Sequence, residues 1–320
     1  MKQLLVLCLL IGLLSGCNQQ TYTPLSKGTI IVTTNQKDGS VSFIDARTHT
    51  LRTTWNMNKA IQGSVLLPDG DTIAFYGKQL SHVLLYSLAK GKQVGEWETG
   101  VGIVNIIVAP QGNKLALADQ NTNTIRMYSP SGKEEARIPI GDNPLTFVQD
   151  EQHLYVVNFR DGKLSNIDWS TNKVISAVTV PVSSMGALLH GNELWLGGHG
   201  NGDVVNESIH IFNVQSGELL RSVPAPQMPV SFASDGMSIY VLSHGSDTVR
   251  KINGTTYAQE AQITVGSNPF ALTLVGNELF IASYDSDEVV VVDSSTMTKL
   301  ATISVGKGPF QFTVVKGEEK

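Results

Sequence analysis

A short apolar run ending in a small or polar residue returns seven times along the chain. It reads IIVTTN from Ile30, IAFYG from Ile73, LALAD from Leu115, LYVVN from Leu154, LWLGG from Leu194, IYVLS from Ile239 and LFIAS from Leu279. The intervals between starts are 43, 42, 39, 40, 45 and 40 residues. Spacing this even, with nothing unrelated between copies, restricts the chain to a repeat architecture. Each unit then buries its apolar faces against its neighbours.

Every copy holds the same four runs. The clearest is LYVVNFRDGKLSNIDWSTNKVISAVTV, residues 154–180. LYVVN is a first strand, FRDGK a turn, LSNID a second strand closing on Asp168, WSTN a turn and KVISAVTV a third strand. A fourth opens the next unit, as PFALTLVG does from Pro269. The runs are short, rich in β-branched and aromatic residues, and bounded by Gly, Asp, Asn, Ser or Pro. No stretch beyond the leader has sustained helical periodicity. The pattern predicts an all-β fold: a seven-bladed β-propeller with four-stranded blades over residues 29–316, then a polar tail at 317–320.

A linear array would leave two end sheets exposed. This chain opens on the equivalent of a second strand and closes on an unpaired first strand, FQFTVV. The N-terminal strands and the C-terminal strand are therefore expected to pair and close the ring, leaving no open edge. Between blades runs a joint such as VGSNPF at 265–270 or VGKGPF at 305–310. Glycine permits the bend, and proline (Pro144, Pro229, Pro269, Pro309) fixes φ and ends the preceding ladder. Phe147, Phe232, Phe270 and Phe310 follow these joints and are expected to pack between blades.

The first seventeen residues, MKQLLVLCLLIGLLSGC, are a different object. Lys2 precedes an apolar stretch, Leu4 to Leu14, that is too short to span a bilayer and has the flanks of a secretory signal. Small residues followed by Cys17 resemble the bacterial lipobox. That resemblance implies a signal peptide at 1–16, lipidation of Cys17 and a membrane-bound, extracytoplasmic protein. Residues 17–28 then read as the lipidated cysteine and a short polar tether. The other cysteine, Cys8, lies inside the segment to be removed, so no internal disulfide is expected. With 28 acidic residues, 23 basic ones and a net charge of −5, no nucleic-acid partner is expected.

The repeats resemble the YVTN-type β-propeller family of bacterial and archaeal extracytoplasmic proteins. The residues that carry this are YVVN at 155–158, YVLS at 240–243, IDARTHT at 44–50, IDWSTNK at 167–173 and VGSNPFAL at 265–272. No copy has a full Y-V-T-N, and the second and third repeats have drifted. The family implies a propeller in the envelope or at the surface. It implies no single activity: its members are largely binding proteins, with lactonase-like and lyase-like relatives.

Aligned by first strand, the residue opening the next turn is Gln36, Lys78, Gln120, Phe159, His199, His244 and Tyr284. These turns should share a face with the joints, and the seven residues form a candidate binding rim. His199 and His244 occupy adjacent blades. Two imidazoles could hold a divalent transition metal or act as acid and base, but a zinc site takes more donors. Asp203, Asp247 and His210 are candidates for a third. YDSDE at 284–288 clusters acids without EF-hand spacing and reads as a solvated turn. GGHGNGDVVNES at 197–208 carries the extra length of the longest repeat. Asp45, Asp168 and Asp293 recur at the end of the second strand, where a carboxylate fixes the following turn. Nucleophile-elbow, zincin, P-loop and haem-attachment signatures are missing from the sequence.

These features predict a lipid-anchored, monomeric binding or scaffold protein. One propeller face would meet an envelope protein, an envelope polymer or a small ligand. The alternative is a lactonase- or lyase-like enzyme using His199 and His244 at the channel mouth, with or without a metal.

Overall fold

The structure, a computed structural model, describes residues 20–25 and 28–317. Seven four-stranded antiparallel sheets form the ring expected from the repeat, and their innermost strands touch one another in cyclic order. Blade 1 consists of Pro309–Val315, Ile30–Asn35, Ser40–Asp45 and Thr50–Asn56, from the axis outward. Blades 2 to 7 occupy residues 63–98, 103–139, 144–179, 184–224, 229–264 and 269–304. Counted from the axis, runs such as LYVVN are second strands and those ending in the recurrent Asp are third strands; the joints and the turns after each second strand lie on one face, here the joint face. The other turns lie on the opposite face.

Burial follows distance from the axis. Second strands such as Ile30–Asn35 and Ser238–Ser243 are buried throughout, because neighbouring blades cover both of their sides. Outer strands such as Lys173–Thr179 are largely exposed. Seven apolar clusters of described residues fill the interfaces between consecutive blades. Trp55 and Trp195 are fully buried in two of them. Each fully buried aliphatic or Phe side chain contributes about 1.5–3 kcal/mol, so the wedge-shaped interfaces hold the ring together.

Two repeated polar devices set the blade geometry. The Asn closing the second strand is buried and donates to serines of the third: Asn35 to Ser40 and Ser42, and Asn158 to Ser165, each at 2.9 Å. The recurrent aspartates fix turns on the opposite face. Asp45 Oδ1 accepts from the backbone of Arg47 and Thr48 at 3.0 Å, and Asp293 Oδ1 from Ser295 at 2.9 Å and Thr296 at 2.8 Å. Hydrogen bonds from Ser170 and Thr171 hold Asp168 at about 2.

Closure uses both ends of the chain. The last strand pairs with the first in register Ile30↔Val315 to Thr34↔Gln311. The segment read as a tether is docked over residues 20–25. Tyr22 stacks on Trp55 with centroids 5.1 Å apart, and Leu25 is buried. Backbone bonds run from Tyr22 to Gly91 (2.7 Å) and from Leu25 to Leu88 (2.8 Å). Polar composition hid this, because one tyrosine and one leucine suffice to fill the groove between the outer strands of blades 1 and 2. Cys17 lies outside the described residues.

Candidate functional site

The channel mouth on the joint face is built by bulges. Pairing of the inner strand skips one residue just after the joint in six blades. The skipped residues are Val104, Leu145, Met185, Val230, Phe270 and Phe310, and all line a cavity of about 280 Å³. A bulge frees a side chain from the pleat and re-aims it, here toward the axis. In blade 2 the corresponding residue is Gln62. Phe270 and Phe310 therefore line the mouth, 5.3 Å apart, rather than packing between blades. Phe147 does pack there, against Val104 and Val156.

One residue further along, polar side chains latch four of the blades to the next, while blades 2, 5 and 7 carry Gly63, Gly186 and Ala271 there. Gln311 accepts from Ser64 N and donates to Tyr76 Oη, both at 2.8 Å. Asn105 donates to Leu145 O at 2.9 Å, and Thr146 donates to Met185 O. Ser231 accepts from Leu272 N at 3.1 Å. Below its apolar lip, the channel wall thus carries satisfied polar groups from blades 1, 3, 4 and 6.

All seven expected rim residues lie on the joint face and divide into two halves. Lys78 Nζ donates to Gln120 Oε1 at 2.9 Å, while Gln36 and Lys78 flank a hollow of about 350 Å³. The other half is aromatic. Phe159 meets His199 at 6.2 Å, His199 meets His244 at 5.1 Å, and His244 meets Phe270 at 4.9 Å. Phe270 continues to Tyr284 at 5.5 Å, and Lys37 Nζ lies 4.4 Å over the Tyr284 ring. One unbroken arc of rings therefore crosses blades 4 to 7 and reaches Phe310 in blade 1.

The structure brings His199 and His244 together, edge to face at 89°. Burial, then the neighbouring His244, lowers the pKa of His199, which keeps it neutral near pH 7. His244 Nδ1 lies 2.8 Å from Asn268 Oδ1, and its Nε2 lies 3.1 Å from Met228 Sδ. Met228 and Asn268 both sit in joints, and neither is evident from motif searching.

Two of the three candidates for a third ligand are used elsewhere. His210 Nδ1 bonds Ser222 Oγ at 3.0 Å, and Asp247 Oδ1 accepts from Asn268 N at 2.8 Å. Asp203 lies in the tip of a small hairpin, Gly200–Asn201 with Val204–Val205, that takes up the extra length of blade 5. Among the described residues, no three His, Cys, Asp or Glu side chains converge. The acids of YDSDE serve the turn: Asp285 pairs with Lys37 at 2.8 Å, and Asp287 accepts from Gly308 N at 2.8 Å.

Comparison with known proteins supports the fold and nothing finer. No family model matches the chain, and no curated protein matches it. A functionally unknown protein from Desulfotomaculum acetoxidans is 14% identical, with TM-score 0.74 over 90% of this chain and 99% of its own. Kuenenia stuttgartiensis hydrazine synthase is 16% identical, with TM-score 0.70 over 88% and 99%. Apo AztD from Citrobacter koseri is 14% identical, with TM-score 0.64 over 91% and 99%. At this identity the likeness is one of architecture: the chain is a seven-bladed β-propeller.

Proposed function

We propose that the protein is a non-enzymatic extracytoplasmic lipoprotein of the YVTN-type propellers, and that its joint face is its binding face. The observation that carries this reading is the arc of rings from Phe159 to Phe310 beside an apolar lip and a cavity of about 280 Å³. Small-molecule sites combine an apolar concavity with a few placed polar groups, and this mouth has both. The occupant is a small ligand, or the end of an envelope polymer, that presents a flat ring to the arc.

The enzyme reading is less well supported. A base of the triad type is oriented by a carboxylate that also stabilises its charged form. His244 is oriented by a neutral amide instead. Lipidation at Cys17 would fit the observed docking. Residues 22–25 bond the turn at 88–91 on the opposite face, and Gln20 and Tyr22 donate to Asn56 O at 3.3 Å along the outer strand of blade 1.

The test is crosslinking capture in intact cells with a C-terminal tag, comparing the native chain with Phe270→Ala/Phe310→Ala. A bound molecule lost in the double variant supports the reading. Recovery of the propeller alone, or capture indifferent to both phenylalanines, refutes it. A Cys17→Ser control shifting the protein from the membrane to the soluble fraction tests the anchor separately.

A further inference from the structure

The contact between His244 and Met228 has an unusual electronic character, fixed by a chain of partners. Lys37 Nζ holds Asp285 Oδ1 at 2.8 Å. Asp285 Oδ2 accepts from Asn268 Nδ2 at 3.0 Å, which settles the orientation of that amide. Asn268 Oδ1, an acceptor only, is thereby turned to His244 Nδ1 at 2.8 Å. Nδ1 must carry the proton. In the neutral ring, Nε2 is then a lone pair, and it faces the lone pairs of Met228 Sδ at 3.1 Å with no proton between them.

A second observation concerns Met228 itself. Its φ is +55°, in the left-handed region. The same slot in other joints holds Gly102, Asn143, Ser183, Asn268 and Gly308, all at positive φ. Glycine and asparagine tolerate that conformation, whereas an unbranched apolar chain gains nothing from it. Among the joints, Met228 is the residue that places a long side chain at a left-handed φ, and that side chain meets His244.

From these observations we infer that Met228 Sδ, His244 Nε2 and the His199 imidazole form a three-donor site for a soft monovalent cation of the copper(I) class. An imidazole nitrogen at about 2.0–2.1 Å and a sulfur at about 2.3 Å from one ion stand about 3.1 Å apart at a right angle. A trigonal spread needs about 0.7 Å of further opening between the two atoms. The amide behind His244 is the outer partner that a ligating imidazole requires. His199 lies edge-on to His244, and among the described residues its ring makes aromatic contacts and no hydrogen bond. Thioether sulfur selects soft ions, and three neutral donors leave a second positive charge uncompensated. The divalent metal expected from the two histidines alone therefore gives way to a monovalent one.

This inference rests on the joint face being the ligand face, and its test is separable from the capture experiment. The full chain, with Cys8→Ser and Cys17→Ser in every sample to remove thiols, is titrated with silver(I) by calorimetry. It is then titrated with copper(I) under anaerobic competition by a chromogenic chelator. One equivalent should bind. Met228→Asn and His244→Ala should each weaken binding by roughly a hundredfold or more, and His199→Ala by about tenfold or more. Met237→Asn, which alters an exposed methionine far from the mouth, should leave it unchanged. Met228→Asn should melt no lower than the native chain, so its loss of binding cannot be unfolding. Binding absent, not saturating at one equivalent, or untouched by Met228→Asn overturns the site. Capture that survives such a result leaves the binding-face reading standing.

Discussion

His244 is held between two joint residues, with Asn268 Oδ1 2.8 Å from one ring nitrogen and Met228 Sδ 3.1 Å from the other. The imidazole thus has one nitrogen turned to an amide and the other to a thioether. Asn268→Gly keeps the left-handed backbone at φ +51° and removes the amide. Silver(I) affinity in calorimetry should fall by about tenfold to a hundredfold, with thermal melting little changed.

Strain at Met228 should be visible without any ligand. Met228→Asn supplies the residue that Asn143 and Asn268 provide at the equivalent φ. Urea unfolding should show a gain of about 1 kcal/mol. A loss of that size would mean that the methionine is retained for packing.

Acid should weaken the fold through two half-buried imidazoles. Burial pushes His199 and His210 below the ordinary 6.5, and His244 pushes His199 further. As pH falls through 6.5, the unfolded chain takes up protons that the folded chain refuses. Stability present above that pH is lost until the folded-state values are passed. Melting temperatures measured from pH 7.5 to 5 should fall less steeply in His199→Asn/His210→Asn than in the native chain.

Blade 3 depends on a buried cation. Arg126 is 4% exposed and reaches Glu134 Oε2 and Tyr128 Oη at 2.6 Å and Asp119 Oδ2 at 3.5 Å. Burial alone would raise the Glu134 carboxyl, but hydrogen bonds and charge from Arg126 and Arg137 outweigh it and hold it at about 2. Arg126→Met leaves Asp119 without its counter-charge and Glu134 with Arg137 alone, and should cost about 3–5 kcal/mol at pH 7. Its unfolding curve should lose part of the acid dependence between pH 4.5 and 2 that Glu134 gives the native chain.

The latch from blade 1 to blade 2 can be tested by a double-mutant cycle. Gln311→Ala strands Ser64 N and should cost about 1–3 kcal/mol. A Cβ added at Gly63 would collide with the Gln311 side chain and with Tyr76. Gly63→Ala should therefore cost less in the Gln311→Ala background than alone, and simple additivity in urea unfolding would remove the latch from the account.

The ring was legible because a propeller states itself seven times. Runs such as LYVVN and LFIAS mark the second strands, and the final FQFTVV announces the seam. The rim positions were legible for the same reason, since alignment by repeat places His199 beside His244. Side-chain chemistry outside the repeat was not. Met228 becomes visible only when the joints are aligned slot by slot and a long apolar side chain stands at a left-handed φ among Asn, Gly and Ser. Tyr22 carries no periodicity and depends on Trp55 for its place. The bulges that turn Phe270 and Phe310 inward are a matter of register, which composition does not encode.

The strand that seals blade 1 is the last of the propeller to be synthesised, while Ile30–Asn35, which it seals, is the first. Six blades can assemble while that early edge waits. A chain interrupted before Pro309 is then an unsealed arc with a bare strand, not a smaller propeller. The seam thereby acts as a test of completeness, since translation must finish before the last edge can be hidden.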